Sequence, residues 1–174
     1  PKYLNSSETL VFDKGKNLFS LNLAKKAEKK QIILVEGYMD VISVYQAGIP
    51  NIVATLGTAL TENQAKLLGR YASEVLLCYD SDEAGVKATL RAIDILNNAG
   101  LRGKVIRLNG AKDPDEYIKN NGVEAFMLCM RRAIPFIEYK IGLLKTEYDL
   151  SETEGKIGFV SAVSGVLSTV NDAV

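Results

Sequence analysis

The sequence predicts an α/β protein: a parallel sheet with helices on both faces, a short basic N-terminal leader and a C-terminal helical appendage. Three observations predict it. From residue 31, short β-rich runs alternate with helical periods. Most of those runs are almost continuously apolar, as strands covered on both faces are. Charge is also unevenly placed: residues 1–30 carry seven Lys against Glu8, Asp13 and Glu28, while residues 31–130 carry nine basic against twelve acidic side chains.

Strands are expected at Ile32–Val35, Ile52–Thr55, Val75–Tyr79 and Lys104–Leu108. The fourth alternates, with Lys104 and Arg107 in it, and suits an edge. Helices fit between them. Tyr38–Ala47 is closed by Gly48 and Pro50, Glu62–Ala72 is opened by the capping box Thr61-Glu62-Asn63-Gln64, and Asp82–Ala99 is closed by Gly100. After the fourth strand only helices follow: short ones at Asp115–Asn120 and Val123–Arg132, then longer ones from Pro135 and Ser151. The last opens with a second box, Ser151-Glu152-Thr153-Glu154, and places Ile157, Val160, Val163, Val166, Leu167 and Val170 on one side.

Composition narrows the chemistry. At 174 residues, 47% hydrophobic and 24% charged, with 21 basic balancing 21 acidic side chains, the chain is globular rather than disordered. It contains no histidine, which excludes Ser-His-Asp and Cys-His catalysis, histidine zinc sites and facial-triad iron. Cys78 and Cys129 lie in apolar stretches and are too few for a Cys₄ zinc site. With no disulfide framework, a cytoplasmic setting is expected. The longest weakly polar stretch, residues 159–170, falls short of the ~20 residues that span a bilayer, so no membrane segment is expected.

In open α/β sheets ligands bind beyond the carboxyl ends of the strands, and here those positions are acidic. Glu36 follows the first strand, Asp80 and Asp82 the third, and Asp113, Asp115 and Glu116 the fourth. Carboxylates gathered in one cleft repel unless cations compensate them. Without histidine or thiolate, an all-oxygen site for Mg²⁺ or Mn²⁺ is the expectation, and such sites mostly serve phosphoryl chemistry. Asp82 and Asp113 also read as helix caps, the latter with Pro114 at the first helical position. No P-loop or G-x-G-x-x-G turn occurs. Leu56-Gly57-Thr58-Ala59-Leu60, after the second strand, offers amides and hydroxyls to a phosphate or simply makes the turn. In the leader, Lys2, Lys14 and Lys16 interleave with Tyr3, Phe12 and Phe19, a mixture able to track a phosphate backbone while stacking on bases.

Glu36-Gly37-Tyr38-Met39-Asp40, Asp80-Ser81-Asp82-Glu83-Ala84-Gly85 and Lys112-Asp113-Pro114-Asp115-Glu116 together resemble the Toprim signature of topoisomerases and primases. Lys2 to Thr9, Phe12-Asp13-Lys14-Gly15, Ala54 to Thr61 and Ser151 to Lys156 narrow the resemblance to bacterial DnaG-type DNA primases, with Ser7 standing where that family usually has proline. The resemblance implies a Toprim-type sheet and a fragment of the RNA polymerase core: residues 1–30 ending a basic N-terminal subdomain, 31–121 the Toprim catalytic core, and 122–174 the start of a helical subdomain.

The activity implied is synthesis of RNA primers from nucleoside triphosphates on a single-stranded DNA template during replication. Glu36, Asp80, Asp82, Asp113 and Asp115 would hold Mg²⁺ or Mn²⁺, Glu36 either ligating metal or taking the proton of the attacking 3′-hydroxyl. Lys14 would act on the reacting phosphates. Lys2, Tyr3, Asn5, Lys14 and Lys16 would line the nucleic-acid groove, with Asp40, Gly37, Gly85 and Lys112 in support. The implied partners are template, primer, nucleoside triphosphates and, through a further C-terminal domain, the replicative helicase; zinc would belong to a further N-terminal domain, and the setting would be the replication fork. Two rivals share parts of the pattern. A Toprim nuclease or topoisomerase shares the acidic set, and a receiver-like phosphoacceptor domain also gathers acids and a lysine beyond a parallel sheet.

Overall fold

The computed structural model describes residues 6–10, 12–27 and 30–168. Two compact units divide the chain, Pro1–Ala133 and Ile134–Val174.

The first unit is built on four parallel strands, β1 (Gln31–Val35), β2 (Ile52–Ala54), β3 (Glu74–Leu77) and β4 (Arg102–Val105), in the order β2-β1-β3-β4. The chain steps from β1 outward to β2, then returns across β1 to β3 and on to β4, so right-handed crossovers put the helix after β1 on one face and the helices after β2 and β3 on the other. On one face α2 (Tyr38–Gln46) and α5 (Pro114–Arg131) bring Val41, Val44 and Phe126 onto Ile33, Val35, Leu76, Cys78 and Ile106. Ile32, Leu34, Val75 and Leu77 point the other way, toward the side of α3 (Glu62–Leu68) and α4 (Glu83–Asn98), whose Leu68, Ile93 and Leu96 are fully buried.

The elements follow their local signals with three displacements. β4 starts two residues before its expected position, because Leu101 is buried directly after the Gly100 turn and Arg102 pairs with Glu74. Helix α3 stops at Leu68, and Gly69 to Ala72 continue as turns. The two short helices expected around residue 120 are one element broken at Gly122, whose φ of 81° is a left-handed conformation that glycine adopts without strain. Beyond that break, Phe126 is fully buried and Val123, Met127 and Met130 pack on the same core, so residues 122–133 are covered by the first unit.

The leader is docked onto this unit. Phe19 and Ala54 exchange backbone hydrogen bonds of 2.8 and 3.3 Å, adding an antiparallel bridge to β2. The Phe19 ring packs at a tilt against Tyr38, with centroids 4.9 Å apart, which commits it to the fold rather than to bases. Thr9 and Phe12 bridge each other, and Asp13 caps the 3₁₀ turn Lys14–Lys16 through Gly15 N. Helix α1 (Leu21–Ala24) then buries Ala24.

The second unit holds the two-residue strand β5 (Ile134–Pro135), α6 (Phe136–Glu147) and α7 (Thr153–Ser168). Helices α6 and α7 pack together, and the Tyr148 ring lies over Gly158 and against Phe159. The box expected at Ser151 does not form its cap: that hydroxyl donates to Asp149 Oδ1 at 2.6 Å, and the helix starts at Thr153. Ile157, Val160 and Leu167 of its apolar side stay exposed, and Val170 lies outside the described residues. Among the described residues no helix is long and apolar enough to cross a membrane.

Candidate functional site

Where the strand order reverses, between β1 and β3, an open sheet leaves a crevice at its carboxyl edge. Glu36 is the residue after β1, and Asp80 lies just beyond β3. Glu36 is half-buried, and its Oε1 is the one buried side-chain oxygen among the described residues that has no hydrogen-bond partner. Burial, then the negative charge of Asp80, pushes its carboxyl above the ordinary range, with the Asp80 amide pulling the other way. A buried polar atom left unpaired costs stability, so it marks a place where the chain holds a group for something other than its own folding. Glu36 also lines a cavity of about 430 Å³ with Thr55, Thr58, Leu60, Tyr79 and Arg91. Burial, then the Glu36 charge, pushes the Tyr79 phenol above its usual value.

The other acids arrive on two loops tied to each other. Ser81 donates its N–H to the Lys112 carbonyl at 3.0 Å and its hydroxyl to the Ala111 carbonyl at 3.1 Å. This brings Lys112 Nζ to 3.4 Å from Asp80 Oδ2 and 3.6 Å from Asp82 Oδ2. Burial raises the Asp80 carboxyl, against Lys112, which lowers it. Asp82 is held low, first by the Gly85 N–H that its Oδ1 accepts at 2.9 Å. Asp82 therefore caps α4 while its other oxygen faces Lys112. Gly85 is fixed by this approach, because a Cβ there would collide with the Asp80 carbonyl.

Asp113 and Asp115 are less free than their spacing implies. Asp113 Oδ1 accepts from Glu116 N at 2.8 Å as the cap of α5, and Glu116 reaches back to the Lys112 N–H at 2.7 Å. Asp115 takes hydrogen bonds from Ser43 on one oxygen and from Lys119 Nζ at 2.7 Å on the other. Its N–H donates to Asp40 Oδ1 at 3.2 Å. Asp40 is thus buried support, joining the first turns of α2 and α5. Burial, then the nearby carboxylates of Asp113, Asp80 and Asp115 against the Asp115 amide, raises its carboxyl to about 6. Gly37 gives Asp40 room: a Cβ there would come within 2.5 Å of Asp40 Oδ2.

Among the described residues no three Asp, Glu or Cys side chains close around a point able to hold a metal ion. The donor set nonetheless fits a hard divalent cation: all-oxygen, with one buried orphan carboxylate oxygen beside a carboxylate pair whose present counter-charge is an exposed lysine. In the leader, Lys2, Tyr3 and Asn5 lie outside the described residues. Lys14 and Lys16 differ. Lys16 Nζ pairs with Asp13 at 2.9 Å, while Lys14 pairs with no carboxylate among the described residues. Ser43, Ser81 and Gln64 were not legible as site residues. Gln64 showed only as half of a capping box.

Comparison with known proteins agrees with this geometry. A Toprim-like family model matches residues 33–118. A DNA primase of Clostridium acetobutylicum is 49% identical over 172 residues, covering 98% of this chain and 29% of that protein. The crystal structure of the Aquifex aeolicus primase zinc-binding and RNA polymerase domains superposes with a TM-score of 0.83 at 38% identity, over 99% of this chain and 41% of that one. A DnaG primase catalytic domain bound to single-stranded DNA gives a TM-score of 0.83 at 36% identity, over 98% of this chain and 56% of that one. The chain spans about three-tenths of the length of the curated relative it matches at 49% identity. The likeness takes in the leader and the helical end as well as the acidic loops, so that nearly the whole chain is similar to bacterial DNA primase and has the fold of a DnaG primase catalytic domain.

Proposed function

We propose that this chain is the catalytic segment of a primase that synthesises RNA primers from nucleoside triphosphates on a single-stranded DNA template by nucleotidyl transfer. The observation that carries the reading is the orphaned, buried Oε1 of Glu36 at the strand-order reversal, beside the Asp80–Asp82 pair. Relatives of this fold have been seen bound to single-stranded DNA, which supports a template strand as the partner here.

Glu36, Asp80 and Asp82 would hold Mg²⁺ or Mn²⁺, with Asp113 and Asp115 completing the acidic rim. A bound divalent cation supplies charge against the triphosphate and makes a hydroxyl easier to deprotonate. Glu36, whose proton affinity burial has raised, ligates metal or accepts the proton of the attacking 3′-hydroxyl. Lys112 neutralises Asp80 and Asp82 until other cations arrive, and Asp40 keeps the Asp115 backbone in place. Lys14, which pairs with no carboxylate among the described residues, offers its cation to phosphates. Residues 1–30 close a basic N-terminal subdomain, 31–121 form the Toprim core and 122–174 begin a helical subdomain, of which residues 122–133 pack on that core. Zinc, as in the domain present in the Aquifex aeolicus structure, and contact with a replicative helicase at the fork belong to other parts of the protein.

Template-dependent incorporation of labelled ribonucleotides, with this chain carried in a full-length primase, tests the reading. Incorporation is expected with Mg²⁺ and lost on chelation. Incorporation that needs no template, or that persists in excess EDTA, overturns it.

A further inference from the structure

Gln64 is completely buried, yet its side chain is the most connected in the leader contact. Its Oε1 accepts the Thr61 N–H at 3.0 Å, closing the capping box of α3. Its Nε2 donates to the Lys14 carbonyl at 2.9 Å and to the Asn17 carbonyl at 2.8 Å. Both amide hydrogens and the carbonyl are therefore used, so no polar atom of this buried amide is left without a partner. The Thr61 hydroxyl adds a bond to the Gly15 carbonyl. The 3₁₀ turn Lys14–Lys16 is thus held from beneath at its start, its middle and the residue after it. Capping α3 needs only the Oε1 half of Gln64; the two Nε2 bonds reach 47 and 50 residues back along the chain.

This arrangement matters because of what stands on the turn. Asp13 neutralises Lys16, which leaves Lys14 as the cation the turn presents. Thr61 follows directly on Leu60, which lines the cavity shared with Glu36. A lysine stem has four rotatable bonds, so a cation reaches a phosphate reproducibly only where its backbone is fixed.

We propose that Gln64 is a positioning residue for Lys14: its carboxamide locks the Lys14–Asn17 turn onto α3, so that the Lys14 ammonium meets the phosphates of a single strand at the acidic edge. This rests on the proposed role of Lys14 in nucleic-acid binding.

The test is a double-mutant cycle in the full-length protein. Binding of a fluorescently labelled oligodeoxythymidylate is followed by anisotropy over a salt series for wild type, Gln64→Met, Lys14→Ala and the pair. Met keeps the length and volume of Gln and removes the amide. Lys14→Ala should flatten the slope of log K against log salt by about 0.7, one phosphate contact on a single strand. Gln64→Met should weaken binding and flatten the slope by a similar amount, and it should cost nothing further once Lys14 is Ala, because the two act as one unit. Thr61→Val, which removes the Gly15 bond to the same turn together with the Thr61 cap on Gln64 N, should weaken binding in the same direction and serves where Gln64→Met does not fold by circular dichroism. If Lys14→Ala changes neither affinity nor slope, the reading of Lys14 fails and this inference with it. If Lys14→Ala has its effect but the Gln64 loss is additive, or if both turn-releasing variants unfold, Gln64 is a structural residue and the positioning role alone is overturned.

Discussion

Lys112 Nζ lies 3.4 Å from Asp80 Oδ2, so the chain carries its own cation at the edge where a metal would bind. The pair is exposed on the lysine side, where an ion pair adds little to stability. Its importance is competitive: a divalent cation on Asp80 has to displace that ammonium or share the carboxylate with it. Calorimetric titration with Mn²⁺ should show weak binding to the free protein and tighter binding once a triphosphate adds phosphate oxygens. Asp80→Ala and Asp82→Ala should each weaken it by at least about tenfold, since even partners outside the coordination shell contribute about 10–100-fold. Lys112→Met should tighten it. Unchanged affinity in both aspartate variants removes them from the site.

Gly85 and Asp80 meet backbone to backbone, and the acidic loop depends on that closeness. Gly85→Ala places a methyl against the Asp80 carbonyl, and forcing it in should destabilise the protein by about 1–3 kcal/mol. The loop should move with it, weakening Mn²⁺ binding although no carboxylate has changed. Chemical denaturation alongside the titration checks both, and a fully stable Gly85→Ala protein with normal metal binding contradicts the contact.

Asp40 gives a pH signature. Its folded-state carboxyl, raised to about 6 from 3.8, binds its proton more tightly than the unfolded chain does. The burial penalty is therefore absent below about pH 4, grows as pH rises toward 6, and is complete above it. That rise corresponds to about 3 kcal/mol at most. In EDTA, Asp40→Asn should gain stability over wild type between pH 4 and pH 7, because the amide keeps an acceptor for Asp115 N without the charge. Urea unfolding at the two pH values measures this, and a difference that does not change with pH refutes it.

Much of this architecture was legible in the sequence because it rests on local chemistry. The apolar runs of β1 and β3, the Thr61–Gln64 box and the caps Asp82 and Asp113 are written within a few residues, and the acids beyond the strands follow from them. Less legible was anything that needed distant partners. Whether Asp115 faces a metal or Ser43 and Lys119 depends on where α2 lies against α5. Phe19 read as a stacking aromatic because its pairing with β2 and Tyr38 is non-local. Ser151 lost its capping role to Asp149, a competitor two residues upstream that satisfies the hydroxyl first. Gln64 was recognised through one of its three bonds, the only one made within its own helix.

The central claim is that Glu36 is held half-buried, with its Oε1 left without a hydrogen-bond partner among the described residues, for chemistry. Glu36→Gln keeps the shape and removes the charge, and its effect on primer synthesis by the full-length protein is the direct measurement. The prediction is a normally folded protein that still binds single-stranded DNA, with primer synthesis reduced by about 10²-fold or more, the scale of a lost proton-transfer group. A correctly folded Glu36→Gln protein that makes primers at the wild-type rate would contradict it.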